Sequence, residues 1–100
     1  MNDNFKNWVA PKWHPDFGNP DKELIILKKI CENISNNLIG YSFELDCFEE
    51  GYMSLILRKS VNEVAIIQIT DVVKCEIGVF FENGDEFYIY EVSEILNYLK

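Results

Sequence analysis

The sequence predicts an α+β domain: one main helix packed on an antiparallel five-stranded meander sheet, closed by a short C-terminal helix. Three features point to it. Leu24, Leu27, Cys31, Ile34 and Leu38 recur at spacings of three and four, the stripe of an amphipathic helix. Tyr41, Phe43, Leu45 and Cys47 then alternate with Ser42, Glu44, Asp46 and Phe48, the period of a strand buried on one face. Asn83-Gly84 stands between two apolar runs, the strongest short-range hairpin signal.

The 100 residues make a single domain, since a chain of this size builds one core. Residues 1–18 should be irregular, because Pro11 and Pro15 interrupt any helix and Pro20 follows. The segment nevertheless holds Phe5, Trp8, Val9, Trp13 and Phe17. Such a segment is expected to pack over an edge or face of the domain, with Trp8 and Trp13 as binding anchors the alternative. The helix is expected over 19–39. Asn19 is a capping residue and Pro20 suits the first helical position. Asp21 and Glu23 favour the first turn, Ile30 widens the apolar stripe, and Gly40 reads as a C′ glycine.

The sheet is expected over 41–92. Glu49-Glu50-Gly51 is the first turn, and Met53, Leu55 and Leu57 face one way on the second strand. Lys59 to Glu63 reads as a loop. Val64 to Ile69 is nearly continuous in apolar residues, which suits a central strand or one buried on both faces. After Thr70-Asp71 a long strand runs to about Glu82, and a last strand from about Asp85 to Val92. Ser93 should cap a short helix over 93–100 that carries Ile95, Leu96 and Leu99.

A two-residue Asn83-Gly84 loop would place Val79 opposite Tyr88, Ile77 opposite Tyr90 and Cys75 opposite Val92 on the helix side. The other face would then pair Phe80 with Phe87, Glu82 with Asp85 and Glu76 with Glu91. Like charges directly opposite each other destabilise a sheet. With Glu44 and Asp46 on the first strand, the outer surface becomes acidic around an aromatic pair, the arrangement of a protein-binding face. The bland reading is a solvated face with one or two exposed aromatics.

The charge map agrees with the binding reading. The formal net charge is −8. Residues 1–40 balance Asp3, Asp16, Asp21, Glu23 and Glu32 against Lys6, Lys12, Lys22, Lys28 and Lys29. Residues 41–100 set twelve acids against Arg58, Lys59, Lys74 and Lys100, which is the whole excess. Such a field repels nucleic acid and anionic lipid and steers a basic partner.

Chemistry is not written into the chain. His14 has no second histidine or cysteine at ligand spacing, and Cys31, Cys47 and Cys75 are widely separated, so neither a metal nor a cofactor is expected. The cysteines read as free, buried thiols. There is no Gly-rich phosphate loop and no basic stripe. Glu49-Glu50 and Asp85-Glu86 sit in turns, whereas an acid–base pair needs one carboxyl in a dry pocket. An enzyme is therefore not expected. No apolar run approaches the about 20 residues of a spanning helix. Met1-Asn2-Asp3-Asn4 lacks the features of a secretory leader, so the cytoplasm is the expected compartment.

The length, the acidity, the α+β pattern and the acids Glu44, Asp46, Glu76, Glu82, Asp85 and Glu91 together resemble the small cytosolic immunity proteins. These neutralise bacterial toxin domains, such as those of contact-dependent growth inhibition or nuclease colicins. The resemblance implies a cognate basic toxin domain as partner, most simply a nuclease, whose active or substrate-binding site is occluded. Those acids would mimic phosphates, with Phe80 and Phe87 as apolar anchors and Trp8 or Trp13 in support. Two other readings remain open. One is a scaffold subunit that homodimerises through the exposed sheet face. The other is a small-molecule-binding domain with a pocket between helix and sheet, lined by Tyr41, Tyr88 or Tyr90.

Overall fold

Asn19 starts the long helix as its chemistry requires. In the structure, a computed structural model describing residues 4–12, 19–48 and 52–99, helix α1 spans Pro20–Asn37. The Asn19 side-chain oxygen accepts the Lys22 N–H at 3.2 Å, and its carbonyl accepts the Glu23 N–H at 3.0 Å. The first bond satisfies a donor that has no partner within the helix, and the second is the helix's first i→i−4 bond. Leu38 leaves the helix in an extended conformation, two residues short of the expected end at 39. Gly40 therefore does not cap the helix. Its φ of +92° turns the chain into the first strand, and its carbonyl accepts the Ser60 N–H at 3.0 Å.

Five strands follow: β1 (Tyr41–Phe48), β2 (Tyr52–Lys59), β3 (Asn62–Asp71), β4 (Glu76–Phe81) and β5 (Glu86–Ile89). They pair antiparallel in chain order, the meander read from the sequence, with β3 central. Leu45, Leu55, Ile67, Val79 and Phe87 align across all five strands on the helix side. Leu24, Leu27, Ile30, Cys31 and Ile34 of α1 are buried, as are Leu55, Leu57, Ile67, Ile77, Val79 and Ile89 of the sheet. Burying one such aliphatic side chain contributes about 1.5–3 kcal/mol, so the helix stripe against the sheet is the main cohesive contact.

The N-terminal segment packs rather than trails. A 3₁₀ turn at Asn4–Asn7 places Phe5, 1% exposed, edge-on to Phe43 at 5.7 Å and to Trp8 at 6.3 Å. Trp8 is half-buried against the core. Trp13, His14, Phe17 and the Glu49-Glu50-Gly51 turn lie outside the described residues. At the other end, Val92–Asn97 forms a 3₁₀ helix against α1 that buries Ile95, and Leu99 beyond it is also buried. Glu91, not Ser93, holds its cap position, and no side chain caps it.

Three connections differ from expectation. The loop at Lys59–Glu63 shrinks to Ser60-Val61, because Lys59 already pairs with Asn62. The long strand after Asp71 is broken by a turn at Val72–Cys75. Asp71 makes that turn: its side-chain oxygen accepts the Val73 and Lys74 N–H groups, both at 3.1 Å, so a local bond replaces a ladder bond. Cys75 closes it at φ +57°.

The β4–β5 hairpin also differs. Its loop holds three residues, Glu82, Asn83 and Gly84. Phe81 donates its N–H to the Asp85 carbonyl at 2.9 Å and accepts the Gly84 N–H at 3.0 Å. Gly84 alone in the loop has positive φ, +99°, as in a three-residue loop with a glycine bulge. A two-residue type I′ turn would need Asn83 there too.

Ser60 takes φ +58° at the first of two turn residues, a position that favours glycine in tight hairpins. Ser60→Gly should raise stability by about 0.5–1 kcal/mol. The neighbouring Val61→Gly, where φ is not positive, should lower it by a similar amount. Urea midpoints of the two variants against the parent check the pair.

Candidate protein-binding face of the sheet

The extra loop residue moves every β5 side chain to the face opposite the one expected. Val79 now faces Phe87, Ile77 faces Ile89, Gly78 faces Tyr88 and Phe80 faces Glu86. Phe87 and Ile89 point to the core, while Tyr88 and Tyr90 stand outside at 48% and 50% exposure.

This corrects half of the expected site. Phe87 is not an outer-face anchor: it is half-buried between Phe81 at 5.7 Å and Tyr98 at 4.4 Å. Glu82 and Asp85 are exposed in the turn and do not face each other, since Asp85 answers Phe81. Glu91 lies beyond β5, at the head of the C-terminal 3₁₀ helix, and does not oppose Glu76. The remaining four, Glu44, Asp46, Glu76 and Phe80, do share the outer face. A pocket between helix and sheet lined by Tyr88 or Tyr90 is ruled out by the same shift, because both rings stand on the far side.

The registers of all five strands assemble this face from two adjacent rows. One runs Glu44, Ile56, Ile66, Phe80, Glu86, and its neighbour Asp46, Ser54, Gln68, Gly78, Tyr88. Among the described residues no helix packs on it. Gly78 leaves a gap in the second row between Gln68 and Tyr88, and the Phe80 ring closes over it. A Cβ at position 78 would come within 2.8 Å of that ring. The Tyr88 ring then meets Phe80 edge-on at 6.2 Å and 88°, a favourable aromatic geometry. Gln68 donates to the Ser54 hydroxyl at 2.7 Å, which leaves that serine only 3% exposed. Ile56, Ile66 and Phe80, all half-buried, thus form an apolar strip that continues into Tyr88.

Acids bound the strip at both ends. Glu44 is paired with Arg58 at 2.6 Å. Glu76 is held differently: Thr70 donates its hydroxyl to one carboxylate oxygen and Tyr90 its phenol to the other, each at 2.8 Å. That bond raises the Tyr90 phenol above its ordinary range, with the Glu76 charge adding to the effect. A raised value keeps the bond intact at neutral pH and through the ordinary phenol range, and it is lost as pH climbs through the raised value.

The thiols do not build a site. Cys31 lies in the core as expected, and burial pushes its thiol well up; Cys47 is exposed rather than buried and Cys75 only half-buried, and partial burial and then the neighbouring Asp46 charge raise Cys47 too. Cys31 and Cys47 are therefore poor nucleophiles at neutral pH. No metal-binding group of side chains occurs among the described residues, and no described helix is long and apolar enough to cross a membrane.

Sequence reasoning missed Ile56, Ile66, Glu86, Tyr88 and Tyr90. The first two were available, because placing Leu55, Leu57 and Ile67 inward forces Ile56 and Ile66 outward. The others hang on the loop length. Comparison of the chain with protein-family models, with curated proteins and with solved structures returns no match.

Glu76→Ala removes the two largest causes of the Tyr90 shift, the hydrogen bond and the Glu76 charge. The Tyr90 phenol should then titrate closer to the ordinary value of about 10. An NMR pH titration of ring-labelled tyrosine, parent against variant, measures this.

Proposed function

We propose that this chain is a protein-binding inhibitor of the immunity type. It uses the outer face of its sheet to cover the cleft of a basic toxin domain, most simply a nuclease. The observation that carries the reading is the apolar strip Ile56–Ile66–Phe80–Tyr88 inside an acidic rim, on a face that no described helix covers. A sheet face that only meets water gains nothing from three aligned apolar side chains at its centre. Interfaces do: their affinity concentrates in buried aromatic anchors, and a charged rim sets encounter rate and partner choice.

Size sets the footprint. Five strands at about 4.8 Å spacing, each on the order of 20 Å long, give a face of about 400 Å², roughly half of the about 800 Å² that a standard interface takes from each partner. The partner must therefore reach past the sheet, and the exposed acids Glu82 and Asp85 on the adjoining hairpin turn extend the same charge. Glu44, Asp46, Glu76 and Glu86 would then stand where a nuclease expects substrate phosphates.

Self-association through this face is the weaker reading. A two-fold dimer sets each patch against its own copy, so the acid rims would meet each other. The −8 charge of each chain adds to that repulsion.

The test is capture of the partner from the source cell, followed by an assay of that partner's toxicity. The parent chain should retain a basic protein and suppress its toxicity. Phe80→Ala should weaken binding by about 30-fold, the loss of one hot spot, and relieve the suppression. Glu76→Lys with Glu86→Lys should slow association several-fold and flatten its salt dependence. Capture and rates untouched by all three substitutions, or a stable homodimer in sedimentation that Phe80→Ala dissolves, would overturn the reading.

A further inference from the structure

Glu76 is an outer-face acid whose two carboxylate oxygens are each held by a side-chain donor. Thr70 fixes one oxygen from β3, and Tyr90 fixes the other from just beyond β5, each at 2.8 Å. Each oxygen keeps a second lone pair for another donor. Glu76 also stands opposite Asp71 across the β3–β4 ladder. Like charges in that position repel, and among the described residues no cation lies within ion-pair distance of either. Asp71 spends one oxygen on the Val73 and Lys74 N–H groups, which holds it in place beside Glu76.

Two phenol rings border this carboxylate. Tyr90 bonds to it directly, and Tyr88 stands opposite Gly78, one same-face step along β4. Both rings are about half exposed, and the Phe80 ring and the Thr70 methyl cover Gly78 between Tyr88 and Glu76.

We infer that Glu76 is a pre-formed seat for a guanidinium, and that the partner presents an arginine there, against Tyr90 and beside the Phe80–Tyr88 pair. The inference rests on the outer face being the binding surface. A guanidinium offers two parallel N–H donors to the two free lone pairs, and its flat face stacks on an aromatic ring. A lysine ammonium is a compact, strongly hydrated point charge that gains neither. The seat therefore discriminates between the two cations, which a diffuse acidic field does not.

The test is an NMR titration of the isolated chain with N-acetyl-arginine amide and, separately, N-acetyl-lysine amide. The arginine compound should shift the signals of Thr70, Glu76, Tyr88 and Tyr90 together, saturating with a Kd on the order of 10 mM. The lysine compound should bind at least several-fold more weakly. Glu76→Gln should abolish the arginine response, and Tyr90→Phe, which keeps the ring and releases the carboxylate, should weaken it. Equal, small shifts from both compounds spread over Asp21, Glu32, Glu82 and Glu91 would overturn the inference, as would an unchanged response in Glu76→Gln. Because no partner is needed, failure here leaves the capture experiment standing, and failure of capture leaves the seat measurable.

Discussion

One backbone angle decides what this protein shows to its surroundings. Gly84 takes a φ of +99°, the loop closes over three residues, and β5 is displaced by one position against β4. Side chains on a strand alternate, so that displacement exchanges the faces completely. Phe87 and Ile89 enter the core and complete the contact with the C-terminal 3₁₀ helix. Tyr88 and Tyr90 leave it and meet Phe80 and Glu76. The opposite register would bury two phenols beneath the helix, where each hydroxyl would need a partner. It would also carry Ile89 outward. The core therefore selects the register that the glycine permits, and the outer surface follows from that choice.

The helix and the order of the strands were readable because they depend on strong, local signals. The stripe from Leu24 to Ile34 and the Asn19-Pro20 start act within one helix. The alternation in β1 acts within one strand. Each survives small errors in its neighbours. The helix end near Leu38 was read two residues late, since no side chain there marks the stop and Gly40 serves the following strand. The break at Val72–Cys75 was hidden for another reason. Val72 and Val73 have high strand propensity, and the bond from the Asp71 side chain to two successive N–H groups outweighs it.

The site was half legible. Glu44, Asp46, Glu76 and Phe80 were placed correctly because β1 and β4 are oriented by their own patterns. Phe87, Glu82, Asp85 and Glu91 were misplaced because their positions are inherited from the loop. The Asn83-Gly84 pair is compatible with a two-residue turn and with a three-residue turn ending in a glycine bulge. The two differ only in whether Asn83 takes positive φ, which composition cannot show. The acid–acid pairs that first suggested a binding face vanished with the assumed register. A different pair, Asp71 opposite Glu76, and a continuous apolar strip took their place. The binding reading thus rests on observations other than those that prompted it.

The sheet offers a partner two kinds of surface, and its edges are the poorer one. The β5 edge is only four residues long, and the 3₁₀ helix that follows ends it. The β1 edge is eight residues long, but Glu44 and Asp46 rise from it and Phe5 leans on its inner side through Phe43. Short or charged edges discourage strand addition, and the field of this half of the molecule strengthens that effect against any acidic or neutral strand. Among the described residues no element protects the centre of the broad face in this way. It is the acids around them, not any described covering element, that guard Ile56, Ile66 and Phe80 against non-specific association. Those acids repel another copy of this chain and attract a basic surface. A partner that meets both requirements must bring cations to the rim and a flat apolar patch to the strip. The cost of a strip that no described element closes is what supports the proposal of a specific partner.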